Sequence, residues 1–305
     1  MNVRTILPSL ILFALPHLAY AAAVSPAVID LEGGRGEEVE AAFTVINTQA
    51  TDQTYYLDTL SFQAKDETGE PRFLTEETSN DLSTWVSFPL DQISVPARSK
   101  VDVPFSVQIP VDVSSGSYQS AITVSSAPAE VVATNGAIIE AKTATLVFLL
   151  IKGETTKKVA LLDFVSKDKS IRSDVHTSFT FRLQNQGNVY AVPEGQIVLK
   201  DLFGRKLGAI DINETKQRIL PATTRSFQAS DQKAVGFLDV LKDQMNHFSI
   251  GPVIATLSIN FGEGFEPIQT TTSFWYVPHQ LILSVFLFVG LLTVGYQILS
   301  KHKKT

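Results

Sequence analysis

The sequence predicts an all-β chain: two tandem β-sandwiches followed by one membrane-spanning α-helix. Three observations predict it. Apolar and polar residues alternate with period two through most of the region from Val24 to Val277. Three short motifs of the first half recur, in the same order, in the second. Near the C-terminus, Leu281 to Leu299 is a stretch of 19 residues without a formal charge. With 305 residues and 44% hydrophobic content, the chain is long enough for about two domains with real cores.

Residues 1–23 have the parts of a secretory signal. Arg4 is a positive start, Ile6 to Leu18 is a short apolar stretch, and the alanines from Ala19 to Ala23 offer small residues for cleavage. Pro8 and Pro16 interrupt that stretch, and it is shorter than the ~20 residues a spanning helix needs. A cleaved signal is therefore expected, rather than an uncleaved anchor.

Strands follow. Val101, Val103, Phe105, Val107 and Ile109 alternate with polar residues, as do Phe179, Phe181 and Leu183, and then Val253, Ala255, Leu257, Ile259 and Phe261. Such runs, punctuated by Gly, Pro and Asn, indicate antiparallel sheets with one buried face. Thr143 to Ile151 is nearly all apolar but too short to cross a bilayer, so a central strand is expected. Phe43-Thr44-Val45-Ile46-Asn47 recurs as Phe181-Arg182-Leu183-Gln184-Asn185. Val95-Pro96-Ala97 recurs as Leu220-Pro221-Ala222, and Gly116-Ser117-Tyr118 as Gly251-Pro252-Val253. The expected division is a first sandwich over 24–152, a linker over 153–158 and a second sandwich over 159–277. Each unit slightly exceeds the ~100 residues of an immunoglobulin-like domain. The excess lies in insertions: Lys65 to Gln92, which carries Trp85; Ala127 to Gly136; and Ala229 to His247, where Val235, Leu238 and Leu241 suggest one face of a short helix. Long loops on a rigid scaffold are the default place for binding, so the first two are candidate interaction loops.

The expected membrane helix spans residues 280–300. Its 19 uncharged residues would reach about 28 Å, against a hydrocarbon core of ~30 Å. Trp275, Tyr276 and Tyr296 sit at its borders as interfacial anchors, and Lys301, His302, Lys303 and Lys304 form a basic tail over 301–305. The positive-inside rule puts that tail in the cytoplasm and the β region outside, on a single-pass plasma-membrane protein. Trp275-Tyr276-Val277-Pro278 is not a sortase signal, so permanent anchoring is expected. Of the 25 basic residues, Arg4 and three tail lysines fall outside the ectodomain, leaving 21 against 31 acidic residues, a net −10. That balance suits solubility and discourages contact with anionic lipid or wall polymers unless a cation intervenes, and the whole chain's net −6 argues against a nucleic-acid partner.

No catalytic constellation is readable. The chain has no cysteine, which excludes a disulfide framework, a thiol nucleophile and a Cys-ligated metal. His176 and His247 are the histidines clearly inside the ectodomain, and neither accompanies a serine elbow or a metal-binding motif. Gly33-Gly34-Arg35-Gly36 lacks the helix start that phosphate binding requires. Acidic pairs such as Glu76-Glu77 read as solvated loop charge. No enzyme, cofactor or metal is expected.

The order Val24-Ser25-Pro26, Asn47, Trp85, Val95-Pro96-Ala97, Gly116-Ser117-Tyr118, Asn185-Gln186-Gly187-Asn188, Pro193-Glu194-Gly195, Phe203-Gly204, Leu220-Pro221 and Phe274-Trp275 resembles a bacterial surface family. Its members carry a signal peptide, two immunoglobulin-like domains, one membrane helix and a basic tail. The layout is more distantly similar to WxL-interacting proteins, which pair a peptidoglycan-binding domain with a host- or partner-binding one. The resemblance implies a non-catalytic surface scaffold that engages a secreted or surface protein or peptidoglycan. The alternative is a chaperone-like envelope assembly factor using a sandwich edge strand, since Val24-Ser25-Pro26 with Asn47 is faintly similar to pilus chaperones. Most motif residues have structural readings: Gly187 with Asn188 as a tight hairpin or left-handed turn, Gly116 likewise, and Trp85 as a plug between sheets.

Overall fold

The computed structural model describes residues 22–74, 81–126, 142–166, 171–173, 177–231 and 236–302. The expected signal, the Ala127 to Gly136 loop, Glu76-Glu77, His176, Val235, Lys303 and Lys304 lie outside them, apart from Ala22 and Ala23 at the end of the signal.

The first half forms β1 (Ala23–Ser25), β2 (Val28–Gly33), β3 (Glu38–Ile46), β4 (Gln53–Leu60), the hairpin strands β5 (Phe62–Ala64) and β6 (Pro71–Phe73), and a 3₁₀ turn at Leu82–Trp85. Then come β7 (Val86–Ser87), β8 (Gln92–Val95), β9 (Lys100–Gln108), β10 (Gly116–Ser125) and β11 (Lys142–Ile151). Two sheets result, ordered β1-β3-β9-β7 and β2-β11-β10-β4-β8. The second half forms β12 (Val159–Ser166), β13 (Ile171–Arg172), β14 (Ser178–Asn185), β15 (Glu194–Lys200), β16 (Lys206–Ile212) and β17 (Thr224–Ser230). It ends with α1 (Phe237–Asn246), β18 (Gly251–Asn260), β19 (Ile268–Tyr276) and α2 (His279–His302). Its sheets are β12-β14-β17 and β13-β19-β18-β15-β16. The plan is the same in both halves. The leading segment divides between the two sheets, and its second part (β2 or β13) runs parallel to the last strand (β11 or β19) while the other pairings are antiparallel.

The alternation seen in the sequence is the core-facing pattern. Phe43, Val45, Val103, Phe105 and Val107 are buried in the first sandwich, and Phe179, Phe181, Leu183, Val253, Ala255 and Leu257 in the second. β11 is apolar on both faces because both are covered. Val147, Leu149 and Ile151 enter the first core, while Leu146 and Phe148 face a separate cluster against the second sandwich. It lies between β2 and β10, a central strand as expected.

The repeated asparagines hold equivalent buried posts. The Asn47 amide donates to the carbonyls of Thr51 at 2.9 Å and Val95 at 3.0 Å, and its Oδ1 accepts the Gln49 amide. Asn185 donates to the carbonyls of Val189 at 2.7 Å and Ile219 at 3.0 Å, and its Oδ1 accepts the Gly187 amide. The two local spacings are the same, so these two residues hold equivalent positions.

The Pro-Ala motifs do not. Asn47 N donates to Ser99 O and Asn185 N to Thr223 O, which sets Ser99 opposite Thr223 and Pro96 opposite Leu220, one residue away from the alignment by sequence. Both stretches are β-turns closed by Ser99 N to Pro96 O and Thr223 N to Leu220 O, with positive φ at Arg98 (53°) and Ala222 (56°). Pro221 takes the second turn position, where its fixed φ is favourable; Pro96 takes the first.

Trp85 is buried in the first core, its ring 5.0 Å from that of Tyr118. Tyr276, expected as an interfacial anchor, is instead fully buried in the second core, because the strand alternation that exposes Trp275 turns Tyr276 inward.

Candidate interdomain binding cleft

The two sandwiches meet along one side of β11 and the turn that follows β14. Of the two readings of Gly187, a tight hairpin or a left-handed turn, the second does not hold, since its backbone φ is not positive. Glycine is needed there because a Cβ would strike the Thr156 carbonyl of the linker. Asn188 then knits three segments together. Its amide donates to Ser115 O at 2.9 Å, its Oδ1 accepts the Thr156 amide at 2.7 Å, and its own carbonyl accepts the Ser117 amide at 2.8 Å. Gly116 lies directly beneath it, at φ 141°. Gly251 opens β18 as Gly116 opens β10, also with positive φ but with open space around it. The motif residues read as separate turns are thus divided. Gly116, Gly187 and Asn188 make one joint, Pro221 faces the first sandwich across a small pocket lined by Ser61, Leu82 and Ser117, and Asn47, Trp85, Pro96, Asn185 and Gly251 act within single sandwiches.

Beside the joint runs an aromatic ladder. Phe62 of β5 meets Phe148 at 6.1 Å, edge to face, and Phe148 meets Tyr190 at 5.6 Å. The Arg218 guanidinium lies 4.2 Å from the Phe148 centroid and 4.9 Å from that of Tyr190. Arg218 Nη2 donates to Asp30 at 2.7 Å, and the Tyr190 hydroxyl donates to the other oxygen of the same carboxylate at 3.2 Å. Burial, with the Asp30 charge behind it, raises the Tyr190 phenol above its ordinary value.

The Lys65 to Gln92 insertion, a candidate interaction loop, makes contacts within the chain over part of its described length. The β5–β6 hairpin crosses to the second sandwich. Glu67 accepts both Arg182 Nε, at 2.7 Å, and Arg182 Nη2, and its carbonyl accepts the Ser226 amide at 2.7 Å. The hydrogen bonds from Arg182 hold the Glu67 carboxyl below its ordinary range, and those from Arg182 to Glu67 and Asp163 raise the guanidinium.

Between hairpin and joint lies an open cleft of about 420 Å³. Val28, Phe62, Leu146 and Phe148 line it from the first sandwich, and Lys216, Leu220 and Arg225 from the second. Arg225 donates to Arg218 O at 2.7 Å and to the Gln217 side-chain oxygen at 2.9 Å, both neutral acceptors. Partial burial lowers its pKa, and no carboxylate among the described residues pairs with it. The cleft therefore combines an apolar wall with a half-buried guanidinium that no carboxylate among the described residues pairs. Its outer wall is β2, an edge strand whose one sheet neighbour is β11. Sequence reading missed this site, because its residues come from four separate stretches that no spacing connects.

Other expected features have ordinary places. His247 ends α1, with its Nδ1 2.9 Å from the Asp243 carboxylate. Among the described residues no three His, Asp or Glu side chains converge as a metal site. α2 is long and apolar enough to cross a membrane, spanning about 36 Å at ~1.5 Å per residue over its 24 residues.

No protein-family model matches the chain, and no curated protein does. Solved structures do. The class 5 fimbriae chaperone CfaA shares 13% identity over 84% of this chain and 99% of its own, with a TM-score of 0.40. A chain of the CsuC–CsuE chaperone–tip adhesion subunit pre-assembly complex from Acinetobacter baumannii Csu pili shares 14% over 81% and 97%, with a TM-score of 0.39. The CupB2 chaperone of Pseudomonas aeruginosa shares 10% over 84% and 100%, with a TM-score of 0.36.

Proposed function

We propose that the chain is a membrane-anchored, non-catalytic assembly factor that holds an extended segment of a partner protein in its interdomain cleft. One observation carries this reading: both sandwiches, locked by the Gly116–Asn188 joint, build a cleft with an apolar wall, an edge strand and a half-buried cation that no carboxylate among the described residues pairs. An extended peptide can add to β2, place apolar side chains against Leu146 and Phe148, and bring a carboxylate to Arg225. A small cleft suits reversible holding better than an obligate interface of ~2,000 Å² or more. α2 would fix the site to the plasma membrane, with the sandwiches outside and the basic tail in the cytoplasm.

A second reading, the permanent surface scaffold of the bacterial family described above, draws on the short connection of two residues between β19 and α2, which leaves the chain no means of departing with its cargo. Two experiments test these readings. The full chain in detergent is titrated with alternating Val/Thr peptides ending in a free carboxylate or an amide. The free acid is expected to bind tighter, with Arg225→Gln removing the difference; equal binding, or none, overturns the cleft assignment. Co-expression with secreted envelope proteins separates the roles. An assembly factor raises their yield and is absent from the finished structure, a scaffold stays in it, and enrichment on peptidoglycan alone overturns the protein-partner reading.

A further inference from the structure

The end of the second sandwich opposite the joint is apolar on its outside. β15 and β19 end there and β16 and β18 begin there, as the pairs Lys200 with Lys206 and Gly251 with Tyr276 establish. Leu202 and Phe203 lie in the β15–β16 turn, Phe203 being 91% exposed. α1 adds an amphipathic helix. Phe237, Leu238, Leu241 and Met245 fall on one arc, and Asp239, Lys242, Asp243 and Asn246 on the opposite one. The apolar arc is not folded inward: Leu238 is 76% exposed, and Phe237 and Met245 nearly as much. Phe248, Ile250 and Trp275 extend the patch. A soluble domain rarely leaves so much contiguous apolar surface in water.

The patch is continuous with α2. Gln244, fully buried, donates to Ser173 O at 2.7 Å and to the Gln280 side chain, while its Oε1 accepts the Leu281 amide at 2.8 Å. α1 thereby satisfies one of the orphan amides at the start of α2. Arg205 donates to Phe248 O, tying the Phe203 turn to the segment after α1.

We propose that α1, the Leu202–Phe203 turn and Trp275 form a collar that inserts into the interfacial layer of the same bilayer that α2 crosses. The occupant of the apolar face is lipid at the boundary of headgroups and acyl chains. An amphipathic helix held in this way lies in the plane of the interface with its apolar arc ~5–10 Å into it. The collar sets the height and tilt of the sandwiches, which α2 alone, on a two-residue connection, leaves free to rock.

This rests on the membrane-anchored reading, and the test separates the two. The chain has no cysteine, so single ones can be placed at will. Phe203→Cys, Leu238→Cys and Met245→Cys, with Val111→Cys on the first sandwich and Tyr296→Cys in α2 as references, are labelled with an environment-sensitive fluorophore in the full chain. Each is put into nanodiscs carrying one copy, with or without shallow doxyl-labelled phosphatidylcholine. Labels at 203, 238 and 245 are expected to lose emission by roughly twofold or more, as insertion to interfacial depth requires, while the label at 111 is unchanged. If the label at 296 is quenched and those three behave like the one at 111, the collar is overturned and the anchor stands. If the label at 296 also escapes quenching, both fall. Shielding of 203, 238 and 245 only in discs with two copies assigns the face to a second chain and overturns the lipid assignment.

Discussion

A Cβ on Gly116 would stand 2.6 Å from the carbonyl oxygen of Asn188, so the two sandwiches touch there through bare backbone. Gly116 also has φ 141°, a region that L side chains rarely adopt. Gly116→Ala is expected to cost on the order of 1–3 kcal/mol from backbone strain alone. The steric conflict falls on the joint, not on either core. Thermal unfolding should therefore split into two transitions, and small-angle scattering should show a larger radius of gyration with both sandwiches folded. A single transition with the dimensions unchanged would show that Gly116 is dispensable to the joint.

Asn47 and Asn185 make the same bonds in the two sandwiches, and their removal should have matching effects. Either Asn→Ala change removes a buried donor, from Val95 O in one case and from Val189 O in the other. Leaving a buried polar group without its partner costs roughly 1–3 kcal/mol. Asn→Asp should be no better than Asn→Ala, because a carboxylate cannot donate to a carbonyl. Denaturant midpoints of the four variants measure this, and rescue by Asp would refute the donor role.

Particular residues show what the sequence reveals and what it hides. Strand alternation and the repeats around Phe43, Phe181, Gly116 and Gly251 are local patterns, and they specify sandwiches, core faces and the apolar final helix. Alternation also decides Tyr276, whose place beside a membrane segment suggested an anchor although its strand phase turns it into the core. Pro96 and Pro221 look equivalent because both precede Ala, yet hydrogen bonding shifts them by one, since a turn tolerates Pro at either of its first two positions. The joint and cleft were not legible. Gly187, Asn188, Glu67 and Arg218 gain their roles from residues up to 188 positions away, and no periodicity encodes such a meeting.

The Glu67–Arg182 pair makes the hairpin contact acid-sensitive. Arg182 lowers the Glu67 pKa in the folded chain, so folding favours the ionised carboxylate. The contribution is complete above the ordinary glutamate range and is lost as pH falls through the lowered value in the folded chain. The Ser226 amide, which donates to Glu67 O, reports on the same hairpin. Its hydrogen-exchange protection, corrected for intrinsic rate, should fall on acidification before that of core amides such as Phe181. Glu67→Gln should remove that step and leave protection low throughout. Loss of protection in parallel with the core would mean that global unfolding, not this pair, is being titrated.

Phe148 completes the junction, and its environment predicts how its loss would spread. The ring is buried between Phe62, Tyr190 and the Arg218 guanidinium, on the face of β11 that points away from the first core. Phe148→Ala removes the middle of that stack and leaves Arg218 without its closest ring, at a cost of about 3 kcal/mol, the lower end for a buried Phe because an interface can partly close. Both cores retain their packing, since Val147 and Leu149 on the opposite face are untouched. The loss should appear as independent unfolding of the sandwiches and greater protease access to the Lys152–Lys158 segment. Phe148→Leu should recover most of the packing but not the cation–ring contact. Arg218→Lys should lower stability less than Phe148→Ala, because an ammonium keeps charge near Asp30 while giving up the planar stack. If Arg218→Lys proved the more damaging, the guanidinium rather than the aromatic ladder would be what holds the sandwiches together.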